Sequence, residues 1–488
     1  MAPFILGAQI LPKENCKLNY RIVGFSVARD EKANMYKFEI ATGSYNSEDQ
    51  FTGNIIVTAD EPSNKIVEEM PSFGKAYTWR VVYMHDKSII KKSTFYHFSI
   101  GKSKVVDTGL SRLRILQPVS KTYKDYYVTV NSEGVLYDMQ GHVVWYMPDT
   151  GGRKVTIADV KVTADSTITL LHEQAFEMNF NADTLWKAPE YNIKGKDTIY
   201  NRYHHEFIKL SNGHYMTMGM ETMMCRSVSL GDSSWIETID SMVELAGYQR
   251  ARFSILTEYD KEGHVIWSWS SSKHLLGSDF DYFKPIDSNL KFDPHQNAFA
   301  FDEGNKVIYS SFRNMDRVIK IEYPSGKILA TYGEKFKPRM PQTGKGFFCN
   351  PHCIRVSPKG YLYYFNNNSC RMTDSLPTVV MLKEPASGKG KMEKIWEYGC
   401  TEESGYKKRF ESGGSVMELP DGSIYTCMGS DYSKLFIVTR NKKILWSAIP
   451  EIYYPHEHKW KVPRQDRSTI ISRADLEKLI WKAEQTKR

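Results

Sequence analysis

Between about residues 120 and 450, apolar and polar positions alternate with period two in short runs, and each run stops at a polar turn containing glycine. The runs recur as a unit. HHEFIKLSNGHYMTMG from His204, HQNAFAFDEGNKVIYSSF from His295, HCIRVSPKGYLYYFNN from His352 and GSVMELPDGSIYTCMG from Gly414 align on Gly213, Gly304, Gly360 and Gly422. Each is followed by a second hairpin that often closes on an aromatic side chain, as at Trp267, Trp396 and Trp446, and two looser units upstream end near Trp145 and Trp186. A unit of roughly 50 residues with four strands predicts a four-stranded antiparallel sheet, and six such units predict an all-β, six-bladed β-propeller. A solenoid or a sandwich is the alternative; radial packing of six sheets is favoured because it buries both faces of each sheet and shields the strand edges.

The first 110 residues lack this unit. LNYRIVGFSVA, MYKFEIATG, NIIVTA and YTWRVVYMHD alternate with period two and predict a small antiparallel β-sandwich over residues 1–112, leaving 113–462 to the propeller. Residues 463–488 are expected to form a helical tail, exposed or packed in a dimer: Ser472 and Asp475 provide an N-terminal cap before LEKLIWKAE.

At 488 residues the chain is too long for one ordinary core, which suits a repeat fold with a second domain. The net charge of +8 is spread among acids with no basic run, which argues against a nucleic-acid partner and is compatible with a pocket for small anions. Seven cysteines are too few and too irregular for a disulfide scaffold or structural zinc, although Cys349 and Cys353 flank Pro351 and His352 closely enough for a local bridge. No stretch is long and apolar enough to span a membrane, and Met1 to Pro12 has no signal-peptide pattern, so the protein is cytosolic or its export signal lies outside this chain.

Residues that begin equivalent propeller units converge on one axis, which singles out three histidines. His205 and His352 lie eight residues before Gly213 and Gly360, and His295 lies nine before Gly304. A single histidine is more often a hydrogen-bonded structural residue; three at matched positions point to a site. His204 is an alternative to His205 as the inward ring, because strand neighbours face opposite ways. Asn297 shares a strand face with His295, and Arg313 ends the next strand, so the set provides imidazoles, an amide and a fixed cation for a tetrahedral oxyanion.

The order of these motifs resembles the bacterial arylsulfate sulfotransferase family. The resemblance rests on His204-His205-Glu206 before Asn212-Gly213, His295 with Asn297, Arg313 eighteen residues beyond His295, Asn350 with His352 before Pro358-Lys359-Gly360-Tyr361, and Gly414-Ser415 before Leu419-Pro420-Asp421-Gly422. It implies a secreted or periplasmic homodimer. It also implies sulfuryl transfer from an aryl sulfate to a phenolic acceptor without a nucleotide donor or other cofactor. By the same resemblance His352 becomes the sulfated nucleophile, and His205, His295, Asn297 and Arg313 the groups that hold the sulfuryl oxygens; His204, as the alternative inward ring, is a substrate-binding candidate. A metal-dependent propeller lyase or hydrolase is the rival expectation, three histidines being joined by Glu206 or Gln296 as a fourth ligand. A non-catalytic binding propeller is the third.

Overall fold

A computed structural model describes residues 10–485 except 149–156, 173, 191–202, 232, 240–243, 283–289, 334–345, 371–375, 386–391, 402–411 and 431. Among the described residues strands are the main regular structure and helices are few and short. Six sheets carry the predicted units; in four of them, the second, fourth, fifth and sixth, four sequential strands pair as an antiparallel meander, and in the third an extra strand, Ser233–Ile239, intervenes. The second sheet runs from Asp159–Val162 to Thr184–Lys187, and the third from Tyr203–Lys209 to Val265–Ser270. The fourth runs from Gln296–Asp302 to Ile328–Gly333, the fifth from Pro351–Val356 to Glu393–Gly399, and the sixth from Ser415–Glu418 to Ile444–Tyr454.

The first sheet differs. Its strands Tyr126–Val130, Val135–Asp138 and Val143–Tyr146 gain their fourth neighbour, Ile470–Ser472, from the far end of the chain. The segment expected to be a helical tail therefore begins as a strand, and only Arg473–Gln485 is helical. Nor is that helix exposed. Its Leu476, Leu479, Ile480 and Ala483 are fully buried in the same core as Phe25, Phe38 and Trp79 of the N-terminal domain. Ser472 caps it as predicted, donating to the Asp475 carboxylate (2.7 Å) while the Asp475 N–H donates back to the Ser472 hydroxyl (3.2 Å).

Tryptophans at the outer hairpins join sheet to sheet. The indole N–H of Trp145 donates to the Phe180 carbonyl (2.8 Å), Trp267 to Pro324 (2.7 Å), Trp396 to Arg440 (2.7 Å) and Trp446 to Met139 (3.0 Å). Trp446 thereby links the sixth sheet back to the first. Trp186 of the second sheet stacks on Tyr215 of the third at 3.8 Å. A buried indole needs both an apolar slot and a hydrogen-bond acceptor, and the neighbouring turn supplies the acceptor.

The N-terminal domain pairs a six-stranded sheet with the two-stranded ladder Ile22–Ser26 and Lys65–Glu69. It is not wholly antiparallel, because Cys16–Leu18 runs parallel to Tyr96–Ile100. The expected bridge between Cys349 and Cys353 does not form; Cys349 is bonded to Cys370. Cys353 is turned into the core between the fifth and sixth sheets, where its thiol faces the Val416 carbonyl.

Candidate active site

The three histidines singled out by their spacing meet. His205 and His352 come from the first strands of the third and fifth sheets, and His295 immediately precedes the first strand of the fourth. The His205 ring centroid lies 5.2 Å from that of His295 and 6.4 Å from that of His352. All three first strands are irregular near these residues. Pairing slips between Tyr203 and Phe207, between Gln296 and Ala298, and between His352 and Arg355. His205 and His295 take left-handed backbone angles (φ +59° and +53°), whereas in the fifth sheet Cys353 does (φ +54°). Such bulges re-aim side chains, and equal spacing from the turn glycine therefore conceals different local backbones.

His204, His205, His295 and His352 line a cavity of about 330 Å³, together with Tyr203 and Met220 and with Arg464, Asp466 and Arg467 from the C-terminal segment. Burial drives the imidazoles of His204, His205 and His352 toward their neutral form. It holds His205 and His352 well below the ordinary histidine value; His204 and His295 add to the effect at His205, and Arg313 and His295 at His352. His204 is pushed down to about 4, again chiefly by burial. The His352 ring touches only uncharged groups, with Nδ1 2.7 Å from the Asn367 amide nitrogen and Nε2 accepting from the Gly413 N–H at 3.3 Å. His295 faces Asp293, whose carboxylate lies 3.9 Å from the ring and 3.2 Å from Arg252. Burial opposes ionisation of Asp293, but His295 and Arg252 outweigh it and lower its pKa.

Arg313 and Asn297 stand differently. Arg313 is half-buried; its charge bears on His352, and its backbone N–H donates to the His295 carbonyl at 2.9 Å. Asn297 does not line the cavity. Its amide donates to the Pro351 carbonyl (2.7 Å) and accepts from the Ser311 hydroxyl (2.7 Å), which ties the fourth sheet to the residue before His352.

A buried charge cluster beneath the histidines was not legible in the sequence. Glu206 is fully buried and meets Lys161 at 2.6 Å, Arg467 at 2.7 Å and Arg355 through two parallel contacts at 3.1 Å. Asp159 joins Lys161 and Arg467. Three cations and two carboxylates leave one net positive charge, and Arg467, which also lines the cavity, donates to the Asn297 carbonyl at 2.8 Å. Glu206 could have been noticed as an acid between the two histidines and the apolar Phe207-Ile208 of its strand. Arg467, 115 residues beyond His352, carries no local signal.

The cluster also tests the metal expectation. One nitrogen from each of His205, His295 and His352 lies within 4.8 Å of the other two, a grouping that could hold a metal ion. Tetrahedral zinc with Zn–N bonds of 2.0–2.1 Å would hold them roughly 3.4 Å apart. Neither proposed fourth ligand is placed for a metal: Glu206 is consumed by three cations, and Gln296 turns its amide to Ser310.

Residues 114–431 match the arylsulfotransferase (ASST) family. Among curated proteins none matches the chain. Similar solved structures include a protein of unknown function from Bacteroides caccae (11% identity over 66% of this chain and 93% of that one, TM-score 0.40). A putative 6-phosphogluconolactonase from Bacteroides fragilis is 12% identical over 91% of this chain and 100% of that one, with a TM-score of 0.36. Virginiamycin B lyase from Staphylococcus aureus is 9% identical over 70% and 85%, with a TM-score of 0.34. Likeness this weak bears on neither mechanism nor substrate.

Proposed function

The chain belongs to the arylsulfotransferase family, and from that membership we propose that it transfers a sulfuryl group from an aryl sulfate to a phenol through a sulfated His352. The observation that carries the proposal is the meeting of three imidazoles, contributed by separate sheets, in one cavity beside a positive cluster. In the first half-reaction a lone pair of the His352 ring attacks sulfur, an N–S bond forms, and the aryl O–S bond breaks to release a phenolate. In the second, the phenolic acceptor attacks the same sulfur, and the N–S bond breaks to return His352. Neutrality matters because an imidazolium has no lone pair, and burial keeps His352 neutral.

The transition state is loose, with charge on the sulfuryl oxygens and the departing phenolate, so positioning and electrostatics dominate the rate. Arg313 and His295 are the groups proposed to hold those oxygens. Asn297 contributes by fixing Pro351. The site requires no nucleotide donor and no cofactor in this reading.

The wider reading is a closed, six-bladed propeller, favoured by the pairing of Ile470–Ser472 with the first sheet and by the Trp446 link from sixth sheet to first. The Cys349–Cys370 disulfide favours an oxidising compartment, in keeping with a periplasmic or secreted homodimer. Among the described residues no helix is long and apolar enough to cross a membrane.

The test is intact mass after brief exposure to 4-nitrophenyl sulfate in the presence of a strong chelator. Wild type should gain one sulfuryl group and pass it to added phenol, and His352→Ala should gain none. Equal labelling of the variant, or labelling abolished by the chelator, would overturn the proposal.

A further inference from the structure

His204 and His205 are in direct contact, and their hydrogen bonds determine which nitrogen of each ring carries a proton. The Gly219 carbonyl lies 3.0 Å from His204 Nε2, and a carbonyl only accepts, so the His204 proton is on Nε2. A neutral ring has one N–H, which leaves His204 Nδ1 as a bare lone pair. The 2.6 Å contact between the two Nδ1 atoms is then a hydrogen bond only if His205 donates. His205 consequently has its proton on Nδ1 and an unprotonated Nε2.

Ring planes at 87° to each other suit this donation, because the N–H of one ring is aimed edge-on at its neighbour. The groups facing His205 are His204, His295, His352 and Arg467, none of them an anion. Among the described residues no other hydrogen bond of the His205 ring competes with the one it donates to His204. Burial of His204 maintains the neutral form on which this depends.

We propose that His204 is a positioning residue that holds His205 in its Nδ1–H tautomer, so that His205 Nε2 serves as the general base for the phenolic acceptor. The base role rests on the sulfotransfer reading; the tautomer assignment does not. In the acceptor half-reaction the phenol O–H proton passes to His205 Nε2, the phenol oxygen forms its bond to sulfur, and the N–S bond to His352 breaks with the electron pair returning to the ring. The next departing phenolate, or solvent, takes the proton from His205.

The experiment uses full-length protein labelled with ¹⁵N-histidine, in which protonated and bare ring nitrogens resonate separately; the His205 signals are assigned by their loss in His205→Gln. Wild type should show His205 protonated at Nδ1. His204→Leu, which offers no acceptor, should shift the proton population toward Nε2 and slow the acceptor half-reaction on the order of 10- to 100-fold. The same variant should still acquire the sulfuryl label on His352. His204→Asn keeps an acceptor oxygen near the Nδ1 position and should recover most of both readouts, which separates positioning from a general loss of packing. An Nε2–H signal in wild type, or His204→Asn behaving like His204→Leu, overturns the proposal. A wild-type protein that shows the Nδ1–H signal but never takes sulfuryl label would retire the base role together with the sulfotransfer reading, leaving the tautomer intact.

Discussion

Replacing Glu206 by Gln removes one charge from the centre of the molecule without removing volume, and its effect can be worked out from the contacts. Two carboxylates now balance three buried cations; the variant leaves Lys161, Arg355 and Arg467 with Asp159 alone. Removing one partner from a buried ion pair costs about 3–5 kcal/mol, because the remaining charges stay desolvated. With an unfolding entropy of about 2.1 cal/mol/K per residue, the 488 residues give about 1 kcal/mol/K if the chain melts as one unit. The melting temperature should therefore fall by about 3–5 °C. The pH dependence provides a second check. Burial raises the Glu206 pKa, but Arg355, Arg467 and Lys161 outweigh it and hold the carboxyl far below its ordinary value. A carboxyl depressed in the folded state contributes stability above its unfolded pKa, and that contribution drains away as pH falls toward the folded one. Wild type should thus lose stability on acidification below the ordinary glutamate range, and Glu206→Gln should lose less. Scanning calorimetry or circular dichroism from neutral to acidic pH reads both effects. Glu457→Gln, which breaks exposed pairs with Lys459 and Lys461, is the control and should leave the melting temperature unchanged. If Glu206→Gln melted with wild type, or showed the same acid sensitivity, the buried cluster would not be the electrostatic keystone described here.

Further predictions concern the cavity and its frame. Since the His352 pKa lies well below the ordinary histidine value, label uptake should stay flat as pH falls past about 6.5 and decline only further into acid; half-loss at 6.5 or above would refute a buried neutral nucleophile. Arg313→Ala removes a cation that disfavours protonation of His352, so the acid limb should move upward while kcat/KM drops on the order of 100- to 1,000-fold, as for loss of an oxyanion donor. Its melting temperature should change little, because the backbone bonds of Arg313 to His295 and Asn350 remain. Opening the Cys349–Cys370 bridge by paired Cys→Ser substitution releases a loop with a sequence separation of 21 residues. Loop entropy of that length is worth about 3 kcal/mol. The same change loosens Asn350 and Asn367 beside His352, so sulfuryl uptake should slow as stability falls, and a variant with wild-type melting and uptake would contradict both effects.

Much of the architecture is local and so could be read along the chain. Period-two alternation, turn glycines and closing tryptophans are short-range consequences of a pleated strand, and at Gly213, Gly360 and Gly422 the turns do use left-handed angles of +84°, +76° and +81°. In the fourth sheet the left-handed residue is Lys306, since a four-residue turn between Asp302 and Val307 distributes its backbone angles differently. Counting from those glycines also sufficed to find His205, His295 and His352, because repeats of one geometry present equivalent residues to one place. What the count could not contain is everything set by contact between distant segments. The bulges that aim the rings, the loss of Asn297 from the cavity, and the pairing of Cys349 with Cys370 all depend on which strands lie side by side. The destination of the C-terminal segment does too. Ile470–Ser472 looks like any short apolar run until the first sheet offers it an edge, and Arg467 becomes part of the site only because that pairing draws it past Glu206. Sequence determines which residues are available to a strand, a turn or a cap, whereas long-range charge compensation and hydrogen-bond partnership, here the tautomer of His205, exist only once the sheets have met.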